Sequence, residues 1–300
     1  MRFGFVSFIG RPNAGKSTLI NRLVGEKVAI VSDKPQTTRN RILAVKNAPD
    51  GQIVFLDTPG IHRPLHRMNV RMVDAALETI REVDVLGLVK DAAEAVGHGD
   101  RFVLDIVKKS KTPAVLVLNK IDLIAKPTLL PLIDTYRKEH EFADIVPVSA
   151  ETGDGVDVLE RAIVERLPEG EALYPQDFLT DQAERVMAAE IIREKLLRHT
   201  GDELPFTTAV VIDRFEEPDE PGALLRLFAT ILVERESQKP IVIGRAGGMV
   251  KRIGTEARQD LERLFDTRVF LDLRVKVNAD WREDDRLLDE LGVPRTNRRR

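Results

Sequence analysis

Short apolar runs punctuate the first half of the chain at Phe3–Ile9, Ile53–Leu56, Val83–Val89, Val115–Leu118 and Ile145–Val148. Each is too short for an ordinary helix and rich in Val, Ile, Leu or Phe, as strands buried on both faces are. Between them, Val70–Val83, Arg101–Lys109 and Val156–Leu167 carry apolar residues at helical spacing. This alternation predicts an α/β domain built on a doubly wound, mostly parallel sheet. Polar residues follow directly after four of the runs, at Gly10-Arg11, Asp57, Asn119-Lys120 and Ser149. Open sheets of this class bind ligands beyond the carboxyl ends of their strands, so these groups are expected to converge on one crevice.

Pro168-Glu169-Gly170 interrupts the last helical stretch, and Tyr174-Pro175 follows within a few residues. The division read from this is a first domain over residues 1–172, a linker over 173–180 and a second domain over 181–300. The second domain opens with an amphipathic helix, Asp181–Arg198, ended by Gly201 and Pro205. A strand at Thr207–Asp213, an acidic, Pro-rich loop from Glu216 to Gly222 and a strand at Leu225–Glu234 follow. After Pro240 and Ile241–Gly244 come a helix from Met249 to Phe265 and a strand at Val269–Val277. That mixture predicts a smaller α+β domain, with a frayed tail ending Arg298-Arg299-Arg300.

With 43% apolar and 32% charged residues, the chain can bury a core, which argues against wholesale disorder and rod-like repeats. No apolar run approaches the roughly 18 residues a bilayer span requires, and no signal-peptide pattern follows Met1. Cysteine is absent, which excludes disulfides and thiolate metal sites. The expectation is a soluble, cytoplasmic protein. A net charge of −3 steers nothing by itself, but its distribution is informative. Residues 1–170 carry 24 basic and 23 acidic side chains, and the remainder 22 and 26. Inside that acidic second part, Lys239, Arg245, Lys251, Arg252 and Arg258 face the single acid Glu256 across residues 239–258. Taken alone, such a cluster is a solvated helix face.

Gly10-Arg11-Pro12-Asn13-Ala14-Gly15-Lys16-Ser17 fits Gly-x4-Gly-Lys-[Ser/Thr] between a predicted strand and a helix, the context of a phosphate-binding P-loop. Its glycines let the loop curl so that backbone N–H groups, Thr18 included, face phosphate oxygens at a helix N-terminus. Lys16 is expected to bridge the β- and γ-phosphates, and Ser17 to ligate Mg²⁺. Asn119-Lys120-Ile121-Asp122 selects the base, because the Asp122 carboxylate can accept from guanine N1–H and the 2-amino group. Adenine offers neither donor, so it would leave that carboxylate unpaired. Ser149-Ala150 is expected to brace the base through its backbone. At the end of an intervening strand, Asp57-Thr58-Pro59-Gly60 places a carboxylate to hold Mg²⁺ through water and a Gly60 N–H to reach the γ-phosphate. In the polar stretch Gln36-Thr37-Thr38-Arg39 a threonine hydroxyl completes the metal shell, Thr38 in preference to Thr37. Lys16, Thr38 and Gly60 are thus the expected catalytic groups, and Ser17, Thr38 and Asp57 the expected metal set. Both loops would be ordered only while γ-phosphate and Mg²⁺ are present.

These motifs are those of a translation-factor-class GTPase, and Pro35–Arg39 with Asp57–His62 resembles the Era family. The resemblance continues through Ser149–Gly153, Thr180–Gln182, Glu190–Lys195 and Ile231–Glu236, covering about residues 3–281. It implies a P-loop GTPase domain followed by a KH domain, converting GTP and water to GDP and phosphate, slowly and with Mg²⁺. Ile61 stands where many GTPases carry a water-orienting Gln, so the resemblance implies another water-positioning element. Asn13 matches an asparagine that in potassium-activated relatives helps hold K⁺ near the phosphates; a plain loop-turn residue is the alternative.

In the second domain, Val242–Ile253 fits the Val-Ile-Gly-x-x-Gly-x-x-[Ile/Val]-x-x-Ile core of a KH domain. Its Gly244-Arg245-Ala246-Gly247 loop would clamp about four single-stranded nucleotides. Ile243 belongs to the apolar bed, and Lys251 and Arg252 to a phosphate-contacting surface. The family often carries Lys or Asn where Ala246 stands. Resemblance to Era implies as partners GTP and GDP, the 3′ end of small-subunit ribosomal RNA and the small ribosomal subunit, for a monomer acting in subunit assembly. The alternative is a GTPase whose second domain binds a protein or the membrane surface, since peripheral membrane association is a family property. Lys90, where an apolar strand-end residue is usual, has no account at this level.

Overall fold

Alternate residues of the predicted strands face opposite sides of one sheet. Ile53 and Phe55 pack with Leu19, Ile20, Leu159 and Ile163, whereas Val54 and Leu56 join Ala76, Ile80, Val103 and Leu104. The computed structural model describes residues 1–34, 37–60, 66–201, 204–218, 220 and 223–293. Pro35, Gln36, Ile61, His62, Gly222 and the arginines at 298–300 therefore lie outside the described residues. The first domain runs β1 Arg2–Ile9, α1 Lys16–Val24, β2 Ile42–Ala48, β3 Gly51–Asp57, α2 Arg67–Glu82, β4 Val85–Asp91, α3 His98–Lys109, β5 Ala114–Asn119, α4 Leu129–Glu139, β6 Asp144–Pro147 and α5 Val156–Val164. Its sheet has the order β2-β3-β1-β4-β5-β6, parallel except for the β2–β3 pair. The strand order reverses at β1, which opens the crevice at its carboxyl end.

The first domain departs from the sequence reading at β2 and at the start of β4. Strand β2 was not anticipated, because four apolar residues followed by Lys46-Asn47 do not by themselves read as a strand. Pairing with β3 makes it one, in register from Ile42 opposite Asp57 to Ala48 opposite Gly51. Val83 closes α2 instead of opening β4, and the Asp84 carboxylate accepts from the Phe5 N–H at 2.8 Å.

The second domain comprises α6 Glu184–His199, α7 Leu204–Thr207, β7 Thr208–Glu216, β8 Leu225–Val233, α8 Lys239–Ile243, α9 Gly248–Phe265, β9 Val269–Val277 and α10 Asp285–Glu290. Strand β8 pairs antiparallel with β7 and parallel with β9. Ala188, Ile192 and Leu196 of α6 and Ile253, Ala257 and Leu261 of α9 recur every four residues and cover one face of this sheet. The segment after β9, which carried no predicted element, closes the other face. Trp281 is fully buried with Met68 and Met72 of α2, Val211, Leu232 and Leu288, and its indole N–H donates to the Thr207 carbonyl at 3.1 Å. Arg71 of α2 pairs with Asp289 at 2.9 Å and with Asp285, joining the two domains. Among the described residues no helix is long and apolar enough to cross a membrane.

Candidate functional site

The loop between β1 and α1 is shaped by close approach. A Cβ on Gly10 would lie 2.4 Å from the Val89 carbonyl oxygen, and Gly15, at φ +90°, would place one 2.3 Å from the Asn119 amide nitrogen. Neither position accepts a side chain, and Gly15 also needs the left-handed conformation. Lys16, the first residue of α1, is buried and donates from Nζ to the Gly10 and Arg11 carbonyls at 3.3 and 3.0 Å. Burial lowers its pKa to about 8, with the Asp57 carboxylate opposing the shift. At Asp57 burial raises the pKa, opposed by Lys16 and by hydrogen bonds from Ser17 and Thr38.

Ser17, Thr38 and Asp57 meet at one corner. The Ser17 hydroxyl lies 2.8 Å from that of Thr38 and donates to Asp57 Oδ2 at 2.9 Å, and Thr38 donates to the same oxygen at 3.3 Å. Thr37 instead turns its hydroxyl to the Lys34 carbonyl at 2.6 Å. Asp57 Oδ1 and the Thr58 hydroxyl are buried without a hydrogen-bond partner among the described residues. Two hydroxyls and a carboxylate with one orphaned oxygen are hard donors of the kind Mg²⁺ takes, with phosphate and water supplying the rest. Among the described residues no group of three or more His or carboxylate side chains offers a competing metal site. Gly60 rests against Pro12, a Cβ there meeting its Cα at 3.3 Å. The resulting cleft, about 380 Å³, is bounded by Pro12, Asn13, Gly15–Thr18, Ile30–Asp33, Thr37, Thr38, Gly60, Glu94 and Lys120.

At the other end of the cleft Asn119 works as a brace. Its amide nitrogen donates to the Ala14 carbonyl at 2.9 Å and its amide oxygen accepts from the Ala150 N–H at 3.0 Å. It therefore ties the P-loop to the Ser149-Ala150 loop, where buried Ser149 accepts from the Thr152 N–H at 3.1 Å. Lys120, at φ +64°, pairs with Asp91 at 2.7 Å, and Asp122 is exposed in the short turn Ile121–Leu123. Arg22 adds a hydrogen bond to the Ala150 carbonyl at 3.0 Å, which no motif announced.

Lys90 now has an account. It is buried, 3.4 Å from Asp100, and donates to the Glu94 carbonyl at 2.9 Å. Asp100 caps α3 through the Gly97 N–H at 2.8 Å and holds Arg11 of the P-loop at 3.3 Å, while Glu94 holds Arg11 at 2.9 Å. The ammonium thus balances a buried carboxylate that anchors the phosphate loop.

In the second domain Gly244, Ala246 and Gly247 all have positive φ, at 74°, 50° and 76°. A Cβ on Gly244 would meet Met249 Cβ at 2.5 Å. The loop bends sharply into α9 with Arg245, Ala246, Lys251 and Arg252 exposed and Ile243 half-buried. Arg252 lies 3.5 Å from Glu256.

Comparison with known proteins agrees with this geometry. Residues 5–120 match the family described as a 50S ribosome-binding GTPase, and residues 203–282 match the KH domain. The GTPase Era of Geobacter metallireducens is 52% identical over 291 residues, 97% of either chain. The chain belongs to the Era family. It is therefore a GTPase with a mostly parallel P-loop domain and a KH domain. The Era of Syntrophus aciditrophicus is also 52% identical, over 96% of this chain and 94% of that one. A crystal structure of Era with MgGDPNP and nucleotides 1506–1542 of 16S ribosomal RNA is 43% identical, with TM-score 0.94 over 98% of this chain and 99% of that one. An Aquifex aeolicus Era variant bound to GDP·AlF4⁻ is 42% identical, with TM-score 0.93 over the same shares.

Proposed function

We propose that this GTPase is a switch that binds single-stranded RNA, the 3′ end of small-subunit ribosomal RNA, and acts as a cytoplasmic monomer in assembly of the small ribosomal subunit. The observation that carries the proposal is the exposed Gly244–Gly247 loop leading into a basic helix on the same chain as a guanine-type nucleotide cleft. The solved Era with MgGDPNP and a 16S fragment supports it. In this reading residues 1–172 form the GTP-binding domain and residues 181–300 the RNA-binding domain, joined by 173–180. Gly10–Thr18 wrap the phosphates, Lys16 bridges β and γ, and Ser17, Thr38 and Asp57 hold Mg²⁺, which supplies charge for the departing phosphates. Asp57–Gly60 close on the γ-phosphate, and Asn119, Lys120, Asp122, Ser149 and Ala150 form the base pocket. Crosslinking the protein in cells and sequencing the attached RNA tests the reading. Reads concentrated at the rRNA 3′ end support it, and a profile without that peak overturns it.

Lys16 gives the cleft a pH signature. Bound phosphates attract its ammonium and raise a pKa that burial has lowered to about 8. Binding therefore takes up a proton at high pH, and affinity is greatest below about pH 8. GDP affinity measured by calorimetry is expected to fall roughly tenfold from about pH 7 to pH 9. A flat profile contradicts the placement of Lys16 on the phosphates.

K⁺ belongs to the proposal through Asn13, which stands at φ +64° with its amide donating to the Asp33 carbonyl. This links the P-loop to the loop that carries Thr38, beside the phosphates. Turnover is expected to be faster in KCl than in NaCl at equal ionic strength. Identical rates return Asn13 to a turn residue.

A further inference from the structure

Three consecutive charged residues of α6 are withdrawn from solvent. Arg193, Glu194 and Lys195 are all buried, and the first two meet the first domain at the loop that carries Thr38. Glu194 accepts from the Val31 N–H at 3.0 Å through one carboxylate oxygen. Its other oxygen accepts from Lys27 at 2.7 Å and Lys195 at 2.9 Å. Arg193 donates to the Thr37 carbonyl and is held by Glu190 at 2.8 and 2.6 Å. Just past Thr38, Arg39 donates to the Thr208 and Pro205 carbonyls at 2.8 and 3.0 Å, its guanidinium 5.4 Å from the Trp281 ring centre. Asn40 donates to the Leu291 carbonyl at 3.0 Å.

Burying three consecutive charged residues of a helix is costly, and generic packing between domains does not require it. Arg193 and Glu194 engage backbone groups of the loop, so they specify its path and not its sequence. Contacts before and after Thr38 leave its hydroxyl at the corner with Ser17 and Asp57. The same cluster reaches α9, whose Asp260 accepts from Lys195 and lies 3.3 Å from Lys27. Helix α9 begins at the Gly244–Gly247 loop.

We propose that Arg193 and Glu194 are positioning residues of the GTPase switch: the second domain holds the loop backbone around Thr38, making tight binding of the triphosphate depend on the docking of α6. A diphosphate needs the P-loop and Ser17 but not Thr38, so the two nucleotides should respond differently.

The test is fluorescence titration of the full chain with labelled GDP and labelled GDPNP, both with Mg²⁺. Arg193→Met keeps the apolar stem and removes the charge and the donors. It is expected to weaken GDPNP binding about tenfold while changing GDP affinity less than twofold, a preference that general loosening of the fold would not produce. Arg193→Lys should recover part of the loss. Glu190→Met with Arg193→Met removes both charges of the pair and keeps the test open if the single variant fails to fold. Selective loss for GDPNP with partial rescue supports the proposal. Equal losses for both nucleotides, or no change in a folded variant, overturn it.

Discussion

Replacing Asp122 by Asn is expected to abolish the preference for guanine nucleotides and move it toward xanthine nucleotides. The carboxylate accepts from two guanine donors, and hydrogen bonds to a charged group contribute about 1.5–3 kcal/mol each. Losing both weakens GTP binding by roughly 3 kcal/mol or more, on the order of a hundredfold. Xanthine presents a 2-oxo group in place of the amine, and an amide can donate to it. Asp122 is exposed in a one-turn segment, and Asn119 carries the bracing of the cleft, so the fold should tolerate the change. Competition of GTP, XTP and ATP against a labelled nucleotide measures the effect. Unchanged GTP preference in the variant, or equal ATP and GTP affinity in the parent, contradicts the assignment of Asp122 to the base.

The nucleotide cleft was legible because its parts are local. Gly10–Ser17, Asp57–Gly60 and Asn119–Asp122 each follow a short apolar run, and a parallel sheet brings strand ends together whatever the intervening helices contain. The core strands were legible for the same reason. What the sequence did not display depends on partners distant along the chain. Strand β2 needs β3 beside it. Lys90 looks misplaced until Asp100 and Arg11 are seen around it. Helix α6 reads as amphipathic, yet its charged residues Arg193 and Glu194 are buried against the Thr38 loop. Trp281 lies in a segment without clear periodicity and becomes part of a core only through α2 and β7. Neither helical nor strand spacing encodes a contact between domains.

Replacing Arg245 and Ala246 together by Asp is expected to remove single-stranded RNA binding. Both positions are exposed on the Gly244–Gly247 loop. Ala246 already sits at φ 50°, a conformation Asp tolerates better than most residues, so the backbone need not move. The change places two carboxylates where phosphates approach and reverses one positive charge. Each lost phosphate contact weakens binding and flattens its salt dependence, and the combined loss should reach at least about thirtyfold at moderate salt.

The most direct test of the whole account is a titration of labelled single-stranded RNA from the small-subunit rRNA 3′ end. Parent and double variant are loaded with GDPNP and Mg²⁺ and compared at several salt concentrations. The account predicts saturable binding by the parent that weakens steeply with salt, and its loss in a variant that still binds GDP normally. Equal RNA affinity in the two proteins would contradict it, because the loop would then not be the clamp.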